Sequence, residues 1–272
     1  MNATISGRLD RSGVLKAGRY LFATGLIGFG IQNFIYHDFI AGRAPAWPFF
    51  LPGKLVWAYS SGAIFILAGA LILLEKRART VTLFCAFMVF QWALLRHLPM
   101  LVGVNFQWGV ELTSAGKALT LFGGMLTVAG SLPRETDRLA QRFPRIVNGT
   151  FTYLGAGRYC MAIFLVISGV EHFIFLQYVQ SLVPAWIPGN TFWAQVAGVA
   201  LVAGGIGLVI PRTAPLAAFL AGAMIFIWFT MLHIPRALSA PVPEAQNEWT
   251  AVVESLTFSG IAFVLTGYRD PK

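Results

Sequence analysis

Few residues in this chain could do chemistry, and two of them are adjacent. Glu171 and His172 lie in the sequence GVEHF, with apolar residues on both sides. An isolated carboxylate in such surroundings is costly unless it is protonated or paired. The two residues therefore predict either proton exchange by Glu171 and His172 or a buried hydrogen bond between Glu171 and a neighbouring helix.

Two other histidines precede prolines. His97 lies in HLP and His233 in HIP, and we expect each proline to end its helix. Positive charge is favourable at a helix C-terminus, so the favoured interpretation is that each imidazole caps exposed carbonyl groups. Binding of a ligand by His97 and His233 is the alternative.

Two more carboxylates have a structural interpretation. We place Glu111 and Glu254 in the first turns of the fourth and eighth apolar segments, where negative charge complements the helix dipole. Arg96 or Lys117 would neutralise them. Stability is therefore the expected role of Glu111 and Glu254, with ligand binding as the alternative.

A Pro-Ala-Trp turn occurs twice, as PAWPFFLPG with Trp47 and as PAWIPG with Trp186. Tryptophan commonly lies at the boundary between a membrane and water. A tryptophan held between prolines also presents a flat aromatic surface in a rigid position. The two turns could therefore fold as lids above a histidine and a carboxylate, and such a site could hold a quinone head group.

Signatures of other chemistry are absent from the sequence. It has no phosphate-binding GxxxxGK[ST], no HExxH and no nucleophile elbow. No two of the four histidines have the i, i+4 spacing of metal ligands on one helix, so we predict no metal site. Cys85 and Cys160 lie in apolar runs and are expected to be small buried hydrophobes.

The amino-acid composition indicates whether these residues are surrounded by water or by lipid. Apolar residues make up 57% of the 272 residues, charged residues only 11%, and mean hydropathy is +0.68. These values predict an integral membrane protein with the lipid bilayer as its surroundings. The net charge of +9 does not indicate nucleic acid, because the basic residues lie in short runs between apolar segments.

Eight apolar segments have about the length of a membrane-spanning helix. The predicted fold class is therefore an all-α membrane protein with eight transmembrane helices. We expect the first segment to remain as a helix, because no cleavage-site pattern follows it. The segments are 17–36, 55–74, 80–98, 111–132, 159–176, 191–210, 214–232 and 250–268.

The basic residues predict the orientation. If the N-terminus is cytoplasmic, all but five of the 20 lysines and arginines fall on the cytoplasmic side. The positive-inside rule then places both termini in the cytoplasm. The membrane is expected to be the plasma (inner) membrane. The histidines and both Pro-Ala-Trp turns fall at the outer side. The five exceptions are Arg43, Lys54, Arg96, Lys117 and Arg236.

The chain contains an internal repeat. A shift of 139 aligns GRY at 18–20 with GRY at 157–159, and a shift of 136 aligns Trp57 with Trp193 and His97 with His233. We infer two four-helix repeats, residues 1–132 and 151–272, joined by a basic cytoplasmic linker at 133–150. An even number of spans gives both repeats the same orientation, so the repeats are parallel.

The motifs GVEHF, VPAWIPG, Trp193 and HIP resemble the DoxX-like family of four-helix membrane proteins, and the resemblance extends over both halves. The first half departs from the family by having GIQNF where a histidine is usual. The family is named for a subunit of a thiosulfate:quinone oxidoreductase. The resemblance implies a redox-associated subunit that binds a quinone at the outer face and works with other membrane or redox proteins. A non-enzymatic small-molecule carrier or a membrane assembly partner is the alternative.

Overall fold

The apolar segments form helices. The computed structural model describes residues 11–40, 47, 50–102, 109–132 and 155–267, and within these ranges the chain is helical without any strand. A bilayer offers no hydrogen-bond partners to the backbone, so a chain this apolar satisfies its N–H and C=O groups within helices. The predicted linker at 133–150 lies outside the described residues.

The described residues contain ten α-helices and one π-helical turn. In chain order they are α1 Arg11–Ile35, α2 Lys54–Leu73, α3 Ala78–Val102, α4 Val110–Ser131, α5 Ala156–Ile174, α6 Leu176–Leu182, α7 Asn190–Val209, α8 Ala214–Trp228, the π-helical turn Phe229–His233, α9 Ile234–Ser239 and α10 Val242–Leu265.

Seven helical segments of the described chain are long and apolar enough to cross a membrane. They include α1, α2, α3, α5 and α7, the continuous run from α8 through α9, and most of α10. The protein is therefore a multi-pass membrane protein. Each of the eight predicted segments forms a helix. Helix α4 is the one that is not apolar enough to belong to the seven membrane-spanning segments.

The position of α4 in the bundle explains its more polar composition. No described residue from Glu111 to Ser131 is exposed, so this helix has little surface facing lipid. The span in α10 resembles it, because 67% of that span is buried compared with 28–44% for the other spans. These two interior helices can carry serine, threonine and charged residues at a lower cost than helices that face lipid.

The remaining helices surround α4 and α10. Helix α1 packs against α2 and α10, α5 packs against α4 and α7, α3 packs against α4, and α8 packs against α10. The core between them contains large buried side chains from both halves of the sequence. Examples are Phe22, Phe29, Phe65, Met125, Met161, Leu165 and Ile261.

The backbone conformation explains why a glycine follows each Pro-Ala-Trp turn. Gly53 precedes α2 with a φ of 85°, and Gly189 precedes α7 with a φ of 76°. Side chains disfavour this left-handed conformation, whereas glycine adopts it readily. Both turns therefore enter the next helix through the same kind of reversal.

The prediction that prolines end the helices at His97 and His233 is wrong. Helix α3 continues through Pro99 to Val102. In the second half, a π-helical turn ends at His233 and leads directly into α9, which has Pro235 in its first turn. A proline removes one N–H group and crowds one carbonyl, and membrane helices accommodate this by local readjustments such as a π turn. The histidines consequently lie within continuous helical segments and do not cap helix ends.

Candidate functional site

Glu171 is buried near the end of α5 and is bonded to α4. Only 8% of the residue is exposed. The hydroxyl of Thr113 donates a hydrogen bond to Oε2 of Glu171 at 2.5 Å. The other carboxylate oxygen, Oε1, is enclosed and has no hydrogen-bond partner among the described residues. The predicted hydrogen bond between Glu171 and a neighbouring helix is thus present, and one of the two carboxylate oxygens takes no part in it.

Lys117 connects Glu171 to a second carboxylate. It lies one helical turn after Thr113 on α4, so the two side chains share a face of that helix. Its Nζ is 3.1 Å from Oε2 of Glu254 on α10. The same ammonium also interacts electrostatically with Glu171. One cation of α4 therefore pairs with a carboxylate of α10 and acts electrostatically on a carboxylate of α5.

Glu254 is in the middle of α10, which corrects the prediction of a first-turn position. Helix α10 begins at Val242, because the polar residues before the apolar run are also helical. Glu254 is only 4% exposed, so it depends on a partner more strongly than a helix-end carboxylate would. The predicted neutralisation by Lys117 is confirmed for Glu254.

His233 completes what we call the central polar cluster, which consists of Thr113, Lys117, Glu171, His233 and Glu254. His233 lies at the end of the π-helical turn and interacts electrostatically with Lys117 and Glu254. Its Nδ1 is enclosed and has no hydrogen-bond partner among the residues that the structure describes. The cluster therefore combines three groups that can take or release a proton with one cation.

An ion pair lies next to this cluster, between α9 and α10. Nη2 of Arg236 is 2.6 Å from Oε1 of Glu248, and its Nε is 3.2 Å from Oε2. Two parallel bonds from a guanidinium to a carboxylate hold both side chains in a fixed geometry. Arg236 and Glu248 also act electrostatically on His233, so they contribute to the charge environment of the cluster.

His172 does not face the cluster. Consecutive residues on an α-helix point about 100° apart, because one turn takes 3.6 residues. Nδ1 of His172 is 2.7 Å from the carbonyl oxygen of Ser168, one turn earlier on the same helix. The imidazole stacks on Trp228 of α8 with 6.3 Å between ring centroids. The structure thus separates Glu171 and His172, which adjacency in the sequence had suggested as a joint site.

His97 and Glu111 have different environments. His97 is 3% exposed within α3. Glu111 is half-buried in the first turn of α4, as predicted, where its charge complements the helix dipole. Both remain candidate binding residues.

The two tryptophans of the Pro-Ala-Trp turns also differ. Trp47 stacks on Phe39 with 5.8 Å between centroids, and its indole N–H donates to the carbonyl of Leu51 at 2.7 Å. Phe39 in turn meets the edge of Trp92. Trp186 is 67% exposed and is not folded over buried residues. Trp47 is therefore part of a fixed aromatic wall, whereas Trp186 does not form a lid in this structure.

Sequence reasoning did not identify the threonines. Thr113 donates a hydrogen bond to Glu171. The hydroxyl of Thr250 on α10 lies 3.4 Å from Oε1 of Gln32, the residue that the repeat aligns with Glu171. The i, i+4 spacing of Thr113 and Lys117 was the available signal, because it places a hydroxyl and an ammonium on one face of an interior helix.

The described residues contain no group of three or more His, Cys, Asp and Glu side chains arranged to hold a metal ion.

Comparison with known proteins gives one match. A domain of unknown function, DUF8561, matches residues 161–257. No curated protein and no solved structure matches the chain. The matched stretch includes Glu171, His172, Trp186, His233 and Glu254, so most of the candidate residues belong to the part of the chain that this domain covers.

Proposed function

We propose that this chain is a membrane protein of the DoxX-like type, built from two parallel four-helix repeats, residues 1–132 and 151–272. The helix neighbours support this arrangement, because they match between the halves. Helix α1 packs on α2 as α5 packs on α7, and α3 packs on α4 as α8 packs on α10. The last helix of each half packs on the first helix of the other, α4 on α5 and α10 on α1.

Close approaches at aligned glycines also support two repeats. A Cβ atom at Gly62 would lie 2.9 Å from the carbonyl oxygen of Gly30, and one at Gly198 would lie 3.1 Å from that of Gly169. The shifts of 139 and 136 align these two pairs. Small residues at membrane helix contacts allow backbones to approach. Both halves therefore join their first two helices by the same contact.

The function that we propose is proton exchange with a quinone head group in the outer half of the bundle. The observation that carries this proposal is Glu171, a buried carboxyl inside a membrane helix with one oxygen lacking a partner. Ionisable residues within membrane helices are costly and mark proton or substrate sites. Thr113 donates a hydrogen bond to Oε2, and Oε1 is left as the oxygen that can hold a proton.

The residues around Glu171 suit proton transfer. A bound quinone supplies two-electron chemistry that is coupled to two protons. Glu171 can hold a proton at Oε1 inside the bundle, and His172 can hold one at its ring beside Trp228. Because the two side chains face different neighbours, they serve two positions and do not act as a hydrogen-bonded pair. His233 and Glu254, which interact with Lys117, are further groups that can hold a proton.

A small-molecule carrier is the second candidate function. The ion pair between Lys117 and Glu254 favours it, because these residues join α4 and α10, the last helices of the two halves. In transporters built from repeats, substrate and ion sites lie at the interface between the repeats. An ion pair at that interface could exchange partners when a charged substrate binds.

The positive-inside distribution supports a plasma (inner) membrane location with both termini in the cytoplasm. In that orientation the central polar cluster lies toward the outer side, since Glu171 is near the C-terminal end of α5 and Thr113 is near the N-terminal end of α4. Quinones dissolve in the same bilayer, so a ligand could reach the site from the membrane.

The deciding experiment is to identify what the purified protein holds. We expect protein extracted in mild detergent to contain a quinone, detected by mass spectrometry and by a redox-dependent absorbance change. Glu171→Gln is the matched variant, because its amide oxygen can still accept from Thr113 but the side chain cannot exchange a proton. Liposomes that take up a substrate without bound quinone would contradict the redox proposal and favour the carrier.

A further inference from the structure

The hydrogen bond of His172 identifies its tautomer. Nδ1 lies 2.7 Å from the carbonyl oxygen of Ser168. A carbonyl oxygen can only accept a hydrogen bond, so Nδ1 carries the proton that forms this bond. In the neutral ring Nε2 is then unprotonated and is an acceptor.

This acceptor is unused by the protein. Nε2 has no hydrogen-bond partner among the described residues, and it is not one of the enclosed polar atoms. The half-buried ring lies against the flat indole of Trp228. A single acceptor beside an aromatic face is therefore available at the surface of the second half.

The first half shows how the amide N–H groups of a polar residue at this position can be bonded to the next helix. Asn33 aligns with His172, and its amide donates to the hydroxyl of Ser61 at 2.8 Å and to the carbonyl of Ala58 at 3.1 Å. The shift of 136 places Ala197 where the first half has Ser61. Helix α7 thus lacks the hydroxyl that secures Asn33 to α2, so His172 bonds to its own helix and leaves one nitrogen free.

We propose that Nε2 of His172 accepts a hydrogen bond from the hydroxyl of a membrane-soluble aromatic ring, so that the second half binds a hydroquinone in preference to the quinone. This inference rests on the quinone function proposed above and specifies the redox state of the ligand that binds. A hydroquinone hydroxyl donates a hydrogen bond, whereas a quinone carbonyl only accepts and finds no donor at Nε2. The stacking of the imidazole on Trp228 holds the ring of His172 in a fixed orientation, so that Nε2 is positioned for this bond.

The test compares binding of a short-chain benzoquinone and its hydroquinone by calorimetry under anaerobic conditions. We expect the wild-type protein to bind the hydroquinone about tenfold more tightly, the effect of one hydrogen bond. The double variant His172→Asn with Ala197→Ser rebuilds the Asn33–Ser61 bond of the first half. We expect it to keep its melting temperature and to lose the preference. Ala197→Ser alone is the control and should keep it.

Each outcome decides a different point. If the wild-type protein binds neither form, both this inference and the quinone function are wrong. If it binds both forms equally, or if the double variant keeps the preference, the role of Nε2 is wrong and the quinone function stands. A measurement on the wild-type protein avoids any folding defect of the variant. Nitrogen NMR of His172 should show a proton on Nδ1 and a change at Nε2 when hydroquinone is added, and a proton on Nε2 without ligand would overturn the inference.

Discussion

At the scale of single residues, the unusual feature is that two buried carboxylates share one ammonium. Lys117 is 3.1 Å from Glu254 and also acts on Glu171, whose other partner is a neutral hydroxyl. In a medium of low dielectric constant each of these groups needs its partners more than it would in water. Loss of one charge of the Lys117–Glu254 ion pair should therefore have a strong effect on stability, and a substitution at Glu171 that keeps its hydrogen bond to Thr113 should have a weak one.

The first prediction concerns Glu171→Gln. The first half already has Gln32 at the aligned position, where its side chain is buried and lies 3.4 Å from the hydroxyl of Thr250. We expect the variant to keep its thermal stability, since the amide oxygen can accept from Thr113, but to lose proton-linked turnover or ligand binding. Thr113→Val is the comparison and should lower stability by about 1 kcal/mol, because it removes the donor. Full activity of Glu171→Gln would contradict a proton-exchanging role.

The second prediction concerns the ion pair. Lys117→Met or Glu254→Gln alone leaves a buried group without its partner, so each should destabilise the protein by roughly 3 kcal/mol. The double variant should recover much of that loss, because neither member of the Lys117–Glu254 pair then remains as a charge that has lost the other. Thermal unfolding in detergent measures this double-mutant cycle. Additive losses would show that the two side chains do not depend on each other.

At the scale of helices, the closest contacts are formed by glycine. A Cβ atom at Gly198 would lie 2.9 Å from Cβ of His172 and 2.9 Å from the ring of Phe173. The contact between α5 and α7 therefore also sets the position of His172. The same helix α7 contains Gly204, where an added Cβ atom would meet its nearest neighbour at an ordinary 3.7 Å.

The third prediction uses this pair of glycines. Gly198→Ala should force α5 and α7 apart, destabilise the protein by roughly 1–3 kcal/mol and weaken ligand binding at His172. Gly204→Ala should be neutral or slightly stabilising, because alanine favours the helix and fits the space. The measurements are melting temperature and hydroquinone affinity of the two variants. Equal effects of the two substitutions would argue against a special contact at Gly198.

At the scale of the whole molecule, the halves are joined through their interiors. Each half's last helix packs on the first helix of the other half, and the core contains large side chains from both. The interior position of α4 and α10 also explains why the charged residues of the central polar cluster come from these two helices and their neighbours. The site belongs to the assembled bundle and not to one half.

The fourth prediction concerns orientation in the membrane. Tags placed within the segment 134–145 and near Trp186 should lie on opposite sides, with the first protected from external reagents and the second accessible. The reason is the concentration of arginine in that segment and the positive-inside rule. Labelling of intact cells, with permeabilised cells as the control, provides the measurement. The reverse labelling pattern would place the central polar cluster toward the cytoplasm.

The sequence by itself determined the helices, because each apolar run in a bilayer must satisfy its own backbone and helices do so locally. The repeat in the sequence also aligns Gly30 and Gly62 with Gly169 and Gly198, the glycines at the close helix contacts. Only the tertiary structure decided which polar groups meet. Glu171 and His172 are adjacent in sequence yet face different helices, whereas Thr113, Lys117, Glu171 and Glu254 come from three helices and meet in one place. That outcome depends on the rotation of each helix about its axis and on how distant helices pack, and neither is set by local sequence.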